Sequence, residues 1–290
     1  MNASQPYSEH LVSHQASNIS VRHYAGTGPA FVLMHGFPDN LHIYDRLIPA
    51  LHGREIITFD FLGWGASDKP VDHAYTSKQQ EEELHAVLAA LQVDQVVPVA
   101  HDASGPVAIN WALDHSERVS ALVLLNTYYG YTPTLRFPEW ISLFADPAYA
   151  ALAGAITEDL MVAEWLFRWQ GRQFNQGSAG VPEGFLQMIW PQFAGTPGTF
   201  PAVLSLTSDL HATLRANMQR MPDLKRFNRP VRIIFGAEDP YLNTGVARSL
   251  HEAFPTSDLS LLPKKGHWPQ LDGASEVAQL LLSLPEATPA

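Results

Sequence analysis

The sequence contains no cysteine among its 290 residues. This absence excludes a disulfide framework, a thiolate nucleophile and a thiolate metal site. Histidine and carboxylate residues do not occur at metal-ligand spacing such as His-Glu-x-x-His, and no Gly-rich nucleotide loop joins a strand to a helix. We therefore expect neither a metal ion nor a cofactor.

Basic charge and long apolar runs are also scarce. Lys and Arg number 18 against 29 Asp and Glu, which gives a net charge of −11. Nucleic acids and anionic membranes would repel such a chain, so we expect neither as a partner. No apolar run approaches membrane-spanning length, and no basic-then-apolar signal is present. These features favour a cytoplasmic globular protein and leave its oligomeric state open.

Short apolar runs alternate with helical patterns along much of the chain. The hydrophobic residues make up 46% of the sequence, which is enough for a large core. Strands are predicted at Ile19–Tyr24, Ala30–His35, Glu55–Phe59, Val96–His101, Ala121–Asn126, Val231–Gly236 and Asp258–Leu262. This alternation predicts an α/β fold with a mostly parallel central sheet and helices on both faces. In such sheets, ligand-binding and catalytic residues lie at the carboxyl ends of the strands.

The alternation is interrupted by a long segment that is rich in Trp, Phe and Leu and divided by prolines. We predict that residues 1–129 form the first part of the core, 130–222 an inserted helical cap, and 223–290 the second part of the core. The aromatic side chains can form the core of the insertion itself or an apolar lid over a site. A small apolar organic substrate, together with water, fits the second interpretation.

One strand-to-helix turn carries a carboxylate between small residues. Asp102 follows the strand that ends near Ala100, and Ser104 comes two residues later. A small-x-nucleophile-x-small turn lifts one side chain above the sheet edge, and its flanks are small because larger ones would collide with the backbone. An Asp before a helix can also be an N-cap, so the turn alone leaves both interpretations open.

Two further strand ends carry an acid and an imidazole. Asp239 follows one predicted strand and His267 follows the last one, so both lie on the sheet edge that holds Asp102. At a third strand end, the loop His35-Gly-Phe-Pro can turn back on the site. The backbone N–H groups of Phe37 and Ala103 would then form an oxyanion hole.

These motifs resemble the α/β-hydrolase family, in which nucleophile, acid and His follow one another in this order. The run from Phe59 to Pro70 is also similar to a loop of that family. An Asp nucleophile in His-Asp, together with His-Gly-Phe-Pro, resembles the branch of epoxide hydrolases and haloalkane dehalogenases. The resemblance implies an α/β-hydrolase fold with an inserted cap and a triad of Asp102, His267 and Asp239.

A carboxylate nucleophile restricts the reaction. At a carbonyl, Asp102 would form a mixed anhydride, whereas at a saturated carbon it would form a stable alkyl ester. Asp102 is ionised at neutral pH and needs no base for the attack. His267, oriented by Asp239, would then activate water to hydrolyse the ester. We therefore expect a hydrolase that acts at sp³ carbon.

The donor to the leaving group separates the substrate classes. The resemblance implies two cap tyrosines for an epoxide; Tyr149 stands near the first expected position and His211 near the second. It implies ring N–H donors for a halide, but Ala103 follows the nucleophile where dehalogenases commonly have Trp. Other candidate donors or pocket residues are Trp140, Trp165, Trp169, Trp268, Tyr128, Tyr129 and Tyr131.

We therefore expect an epoxide hydrolase that produces a vicinal diol, with a haloalkane dehalogenase as the alternative. A serine esterase or lactonase would use Ser104 as nucleophile, but its flanks Asp102 and Pro106 suit a tight turn less well. A further alternative is a ligand-binding protein on a hydrolase scaffold. The complete set of nucleophile, acid and base argues against it.

Overall fold

The computed structural model describes residues 6–174 and 184–285. Its strands form one sheet in the order β1-β2-β4-β3-β5-β6-β7-β8. The first two pairings, β1 with β2 and β2 with β4, are antiparallel, and all later ones are parallel. The strands are β1 (Ser8–His14), β2 (Ser17–Tyr24), β3 (Thr27–Met34), β4 (Arg54–Phe59), β5 (Val96–Asp102), β6 (Leu122–Thr127), β7 (Val231–Gly236) and β8 (Ser257–Leu262).

The central strands are the apolar runs of the sequence. Every residue of β5 and of β6 is buried, as expected for parallel strands at the middle of a sheet. The strand β1 was not predicted because its residues alternate in exposure and only Val12 is buried. Leu11, at 71% exposure, contributes little to the core. An edge strand of this kind has no apolar run to reveal it.

Helices connect the strands and fill the segment between β6 and β7. They are α1 (Ser77–Ala90), α2 (Ser104–Asp114), α3 (Glu139–Ala145), α4 (Ala150–Glu158), α5 (Leu160–Gln173), α6 (Phe185–Ile189), α7 (Pro191–Ala194), α8 (Phe200–Leu224), α9 (Thr244–Ala253), α10 (Pro269–Asp272) and α11 (Ala274–Leu282). Short 3₁₀ turns lie at Leu41–Tyr44, Ile48–Leu51, Ser116–Arg118 and Pro147–Tyr149. None of the described helices is long and apolar enough to cross a membrane.

Local sequence signals account for several helix ends. Thr76 caps α1 by accepting the N–H of Gln79, and Asp159 caps α5 by accepting the N–H of Met161. The helix α8 carries a proline near its start, where the missing N–H costs nothing. It runs to Leu224, past residue 222, where we predicted the insertion to end.

Candidate active site

The backbone at Asp102 is strained and tightly enclosed. Asp102 ends β5 with a φ of 50°, a left-handed conformation that is uncommon for a residue other than glycine. A Cβ atom on Gly36 would lie 2.6 Å from Cβ of Asp102, so only glycine fits in the facing loop. The hydroxyl of Thr127 donates to the carbonyl oxygen of Asp102 at 2.5 Å. These contacts hold the side chain at the sheet edge.

One oxygen of this carboxylate is already held by a backbone donor. The N–H of Phe37 donates to Oδ2 of Asp102 at 3.0 Å. The other oxygen, Oδ1, lies 3.9 Å from Nε2 of His267, which is beyond hydrogen-bond distance. Ala103 lines the same cavity as Asp102. The two carboxylate oxygens therefore have different environments.

His267 is oriented by Asp239 from the neighbouring strand end. Its Nδ1 lies 2.6 Å from Oδ2 of Asp239. The other oxygen of Asp239 accepts the backbone N–H groups of Tyr241 and Leu242, at 2.9 and 3.1 Å. The structure thus brings together the three side chains that the sequence analysis placed at one sheet edge. All three are buried.

Burial and charge act on these groups in opposite directions. Burial raises the pKa of Asp102, although the imidazole of His267 opposes this. Burial lowers the pKa of His267, but the carboxylates of Asp239 and Asp102 outweigh it and raise the pKa to about 9. For Asp239, burial opposes ionisation, yet the charge of His267 and the hydrogen bonds of the carboxylate lower its pKa overall. In the free protein, His267 is therefore an imidazolium at neutral pH.

Asn126 is a site residue that the sequence analysis missed. Its Nδ2 donates to Oδ2 of Asp239 at 2.9 Å, and its Oδ1 accepts the N–H of Gly236 at 2.7 Å. Its φ of 28° places it among the strained residues of the chain. The sequence feature that could have identified Asn126 is an asparagine at the end of an apolar strand, because a buried side-chain amide requires hydrogen-bond partners.

A second buried His and Asp lie beside this triad. Nε2 of His101 lies 2.9 Å from the carbonyl oxygen of His267, and Nδ1 lies 3.4 Å from Oδ2 of Asp39. The same Asp39 oxygen accepts the indole N–H of Trp268 at 3.1 Å. His35 accepts the N–H of Phe61 at 3.1 Å. Both His35 and His101 thus connect loops of the site to the rest of the fold.

A cavity of about 60 Å³ opens onto Asp102 and His267. This volume holds roughly four to six water molecules, so it suits a small molecule. The lining side chains are mainly aromatic and aliphatic, and they come from both the core and the insertion. They belong to Phe37, Pro38, Asp102, Ala103, Tyr128, Arg136, Phe137, Pro138, Trp140, Ile141, Phe174, Leu206, Thr207, Leu210, Tyr241, Leu242, His267 and Trp268.

Three of the aromatic candidates line this cavity, namely Trp140, Trp268 and Tyr128. The indole N–H of Trp268 is directed to Asp39 and is not available to a ligand. The next tyrosine, Tyr129, does not line the cavity, and its hydroxyl donates to Asn110 at 2.8 Å.

Two tryptophans of α5 lie outside the cavity, contrary to our expectation. Ala163, Phe167 and Gln170 form the buried stripe of this helix at helical spacing. Trp165 and Trp169 lie off that stripe, and Trp165 is 59% exposed. Neither of them lines the cavity. Aromatic composition thus indicated a packed insertion but not which rings face the site.

The predicted donors Tyr149 and His211 also lie outside the cavity lining. Tyr149 ends an exposed 3₁₀ turn and is itself 50% exposed. Nδ1 of His211 lies 2.8 Å from the hydroxyl of Tyr131, so these two side chains pair with each other. On α8 it is the neighbouring Leu210 that faces the cavity.

Ser104 is buried at the start of α2, and its hydroxyl is engaged by the backbone. Its Oγ lies 2.8 Å from the carbonyl oxygen of His101 and 3.0 Å from that of Met34. It also accepts the N–H of His101 at 2.9 Å. These bonds brace the turn and leave the hydroxyl outside the cavity lining.

Within residues 6–174 and 184–285, no group of three or more His, Asp or Glu side chains is arranged to hold a metal ion.

A family described as alpha/beta hydrolase fold matches residues 29–274. The protein LipZ of Mycobacterium tuberculosis is 27% identical over 272 residues, which cover 92% of this chain and 91% of that protein. Haloalkane dehalogenase 2 of the same species is 24% identical, with 90% of each chain covered. The solved structure of the epoxide hydrolase CorEH superposes with a TM-score of 0.77 at 19% identity, covering 96% of this chain and 98% of the other. Structural likeness at that identity concerns the fold alone.

Proposed function

Because the chain belongs to the α/β-hydrolase fold family, we propose that it hydrolyses epoxides to vicinal diols through an alkyl ester on Asp102. This proposal depends on one observation, the carboxylate side chain of Asp102 at the turn between β5 and α2. A carboxylate stands there at a left-handed φ, with one oxygen held by the N–H of Phe37 and the other free. His267 faces the free oxygen, and Asp239 orients the imidazole.

The first step is attack by the free oxygen, Oδ1, on a ring carbon of the epoxide. The carbon–oxygen bond of the ring breaks, and its electron pair stays on the epoxide oxygen. Burial favours this attack because a desolvated carboxylate is a stronger nucleophile than a hydrated one. The product is an ester whose carbonyl oxygen is Oδ2, which already accepts the N–H of Phe37.

The second step is hydrolysis of this ester. Esterification removes the negative charge of Asp102, which lowers the pKa of His267 because that charge helped to raise it. The imidazolium can then lose its proton to solvent, and the neutral imidazole acts as a base toward the attacking water. Water adds to the ester carbonyl carbon, and the negative charge develops on Oδ2 beside the N–H of Phe37. Collapse of this intermediate releases the diol and restores the carboxyl group of Asp102.

A serine hydrolase mechanism at Ser104 has less support. The hydroxyl of Ser104 is bonded to backbone carbonyl groups and lies outside the cavity lining. Asp102, by contrast, lines the cavity together with His267.

Haloalkane hydrolysis is the second candidate, and one observation favours it. Trp140 lines the cavity, and its indole N–H has no hydrogen-bond partner within the described part of the chain. An indole N–H is a suitable donor to a departing halide. The same ester on Asp102 would form, so the substrate and not the mechanism separates the two candidates.

The deciding experiment traps the ester. His267→Gln removes the base of the second step, so the first step should leave a stable adduct on the protein. This variant is incubated with 1,2-epoxybutane and, separately, with the size-matched 1-bromobutane, and intact-protein mass spectrometry is followed by peptide mapping. We expect the whole mass of the epoxide on Asp102.

His211→Gln is the matched control, because His211 pairs with Tyr131 away from the cavity. It should turn over the substrate and accumulate no adduct. A butyl adduct on Asp102 with bromide release would instead assign the protein to the dehalogenases. If His267→Gln forms no adduct with either reagent and the wild-type protein hydrolyses p-nitrophenyl esters, the ester mechanism on Asp102 is wrong.

A further inference from the structure

The cavity contains a tyrosine on the core side that no step above uses. Tyr128 directly follows Thr127, the last residue of β6, whose hydroxyl is bonded to the backbone of Asp102. Its side chain lines the cavity together with Asp102. Burial and the charge of Asp102 both raise the pKa of Tyr128, so the phenol keeps its proton in the free protein.

The hydroxyl of Tyr128 is an uncommitted donor. It has no hydrogen-bond partner within residues 6–174 and 184–285. The other hydroxyl groups of the cavity are used: Tyr241 donates to Glu139 at 2.6 Å, and Thr207 donates to the carbonyl oxygen of Val203 at 2.8 Å. A partly buried phenol that lines the same cavity as the carboxylate of Asp102 is therefore left for a ligand.

The remaining polar groups of the cavity are less suited to an alkoxide. The N–H of Trp140 can donate a hydrogen bond but is not acidic enough to give up its proton. Arg136 is exposed, and its charge acts on Glu139. A phenol can both donate a hydrogen bond and transfer its proton, because an alkoxide is a stronger base than a phenolate. Ester formation also removes the charge of Asp102, which is one of the causes that raise the pKa of Tyr128.

We propose that Tyr128 is the catalytic acid that protonates the epoxide oxygen as Asp102 opens the ring. This inference rests on the proposed function and replaces the donors that the sequence analysis placed in the cap at Tyr149 and His211. The proposed acid therefore lies at the sheet edge. Tyr128 comes directly after β6, and β6 pairs with β5, the strand that ends at Asp102.

The protons balance over one turnover. In the first step, Oδ1 of Asp102 forms the bond to carbon, the ring C–O bond breaks, and the phenolic proton of Tyr128 passes to the oxygen, which leaves a phenolate. In the second step, His267 takes a proton from water and gives it to the departing oxygen of the ester, so Asp102 is released as a carboxylic acid. Ionisation of that acid returns a proton to the phenolate of Tyr128. The proton that His267 releases to solvent after ester formation is regained from solvent once Asp102 is charged again.

The test measures ring opening apart from ester hydrolysis. In a His267→Gln background, the growth of the 1,2-epoxybutane adduct is followed by rapid-quench mass spectrometry in a single turnover. Tyr128→Phe should slow adduct formation by about 100-fold or more, as expected for the loss of a general acid. Tyr131→Phe is the matched control in the same loop, since Tyr131 is exposed and bonded to His211. It should leave the rate within about twofold of its parent.

Each outcome separates the two proposals. If the parent forms the adduct on Asp102 and Tyr128→Phe forms it at the same rate, the proposal for Tyr128 is overturned and the ester mechanism stands. If the parent itself forms no adduct, the ester mechanism fails, and the proposal for Tyr128 fails with it. Thermal unfolding of Tyr128→Phe controls for misfolding, and a transient phenolate absorbance in the parent that is lost in Tyr128→Phe would support the proton transfer directly.

Discussion

Nε2 of His101 lies 2.9 Å from the backbone carbonyl oxygen of His267. A carbonyl oxygen cannot donate, so Nε2 carries a proton and Nδ1 is the atom that faces Asp39. Asp39 in turn accepts the N–H of Trp268. Asp39 therefore contacts both His101, which precedes Asp102, and Trp268, which follows His267. It also adds negative charge close to the imidazole of His267.

Asp39→Asn should therefore lower the pKa of His267. The charge of Asp39 is one of the groups that raise that pKa, and the asparagine side chain keeps an oxygen that can accept from Trp268. Titration of the imidazole resonances by NMR measures the change. Asp45→Asn, on an exposed carboxylate that pairs with His42 and Arg22, is the control and should not move the resonance of His267. An unchanged pKa in Asp39→Asn would contradict this electrostatic connection.

Asp102→Asn should lower the pKa of His267 more than Asp39→Asn does, because the charge of Asp102 raises that pKa more than the charge of Asp39. The asparagine also mimics the neutral ester. The pKa of about 9 in the native protein lies above the usual 6.5, so the stabilisation from protonated His267 is complete at low pH and is lost as pH rises toward 9. The variant should show a smaller loss of stability over this range. Urea unfolding at several pH values tests the point, and identical pH profiles for the two proteins would refute it.

The sequence allowed the grouping of three candidate side chains to be predicted, but not the lining of the cavity. Asp102 ends the apolar strand β5, Asp239 follows the apolar strand β7, and His267 follows the last strand, β8. Parallel strands bring their carboxyl ends to one edge of the sheet. The side chains that face the cavity from the insertion depend on how each helix is rotated against the core. Trp165 and Phe167 are two residues apart on α5, yet only Phe167 is buried. Composition alone does not determine that rotation.

Asn126→Ala should impair ester hydrolysis more than ring opening. It removes the donor to Oδ2 of Asp239, which is the oxygen that orients His267. In the proposed mechanism, His267 acts only in the second step. A lost hydrogen bond to a charged group costs roughly 1.5–3 kcal/mol, so we expect hydrolysis to slow by about 10- to 100-fold. Single-turnover kinetics separate the two rates. Asn228→Ala, on an exposed asparagine, is the control. Equal slowing of both steps by Asn126→Ala would indicate a general packing defect.

Asn110→Ala should destabilise the attachment of the insertion to the core. Asn110 accepts the hydroxyl of Tyr129, where the chain enters the insertion, and donates to Asn217 at 3.2 Å on α8, where it leaves. It also accepts from Arg220 at 3.2 Å on the same helix. The loss of this buried group leaves several partners unsatisfied, at a cost of roughly 1–3 kcal/mol or more in the free energy of unfolding. Hydrogen exchange should show that the backbone amides of α8 exchange faster in the variant than in the native protein. A loss of protection spread evenly over the whole protein, or no loss in α8, would argue against a local attachment.

Gly36→Ala tests how closely the Phe37 loop approaches the site. A Cβ atom at position 36 would lie 2.6 Å from Cβ of Asp102 and 2.8 Å from the carbonyl oxygen of His101, and both atoms belong to the end of β5 at the strained turn. The loop must move away, which withdraws the N–H of Phe37 from Oδ2 of Asp102. Loss of one oxyanion donor costs about 10²- to 10³-fold in rate, and we expect at least that loss in ester hydrolysis.

The matched control for this substitution is Gly154→Ala in α4, where an added Cβ meets nothing within 4 Å. Alanine is the better helix former, so this variant should keep full activity and gain up to about 1 kcal/mol of stability. Circular dichroism and thermal unfolding of both variants distinguish a displaced loop from a protein that fails to fold. Gly36→Ala with native stability and native activity would show that the loop tolerates a side chain, and the predicted withdrawal of the N–H of Phe37 would be wrong.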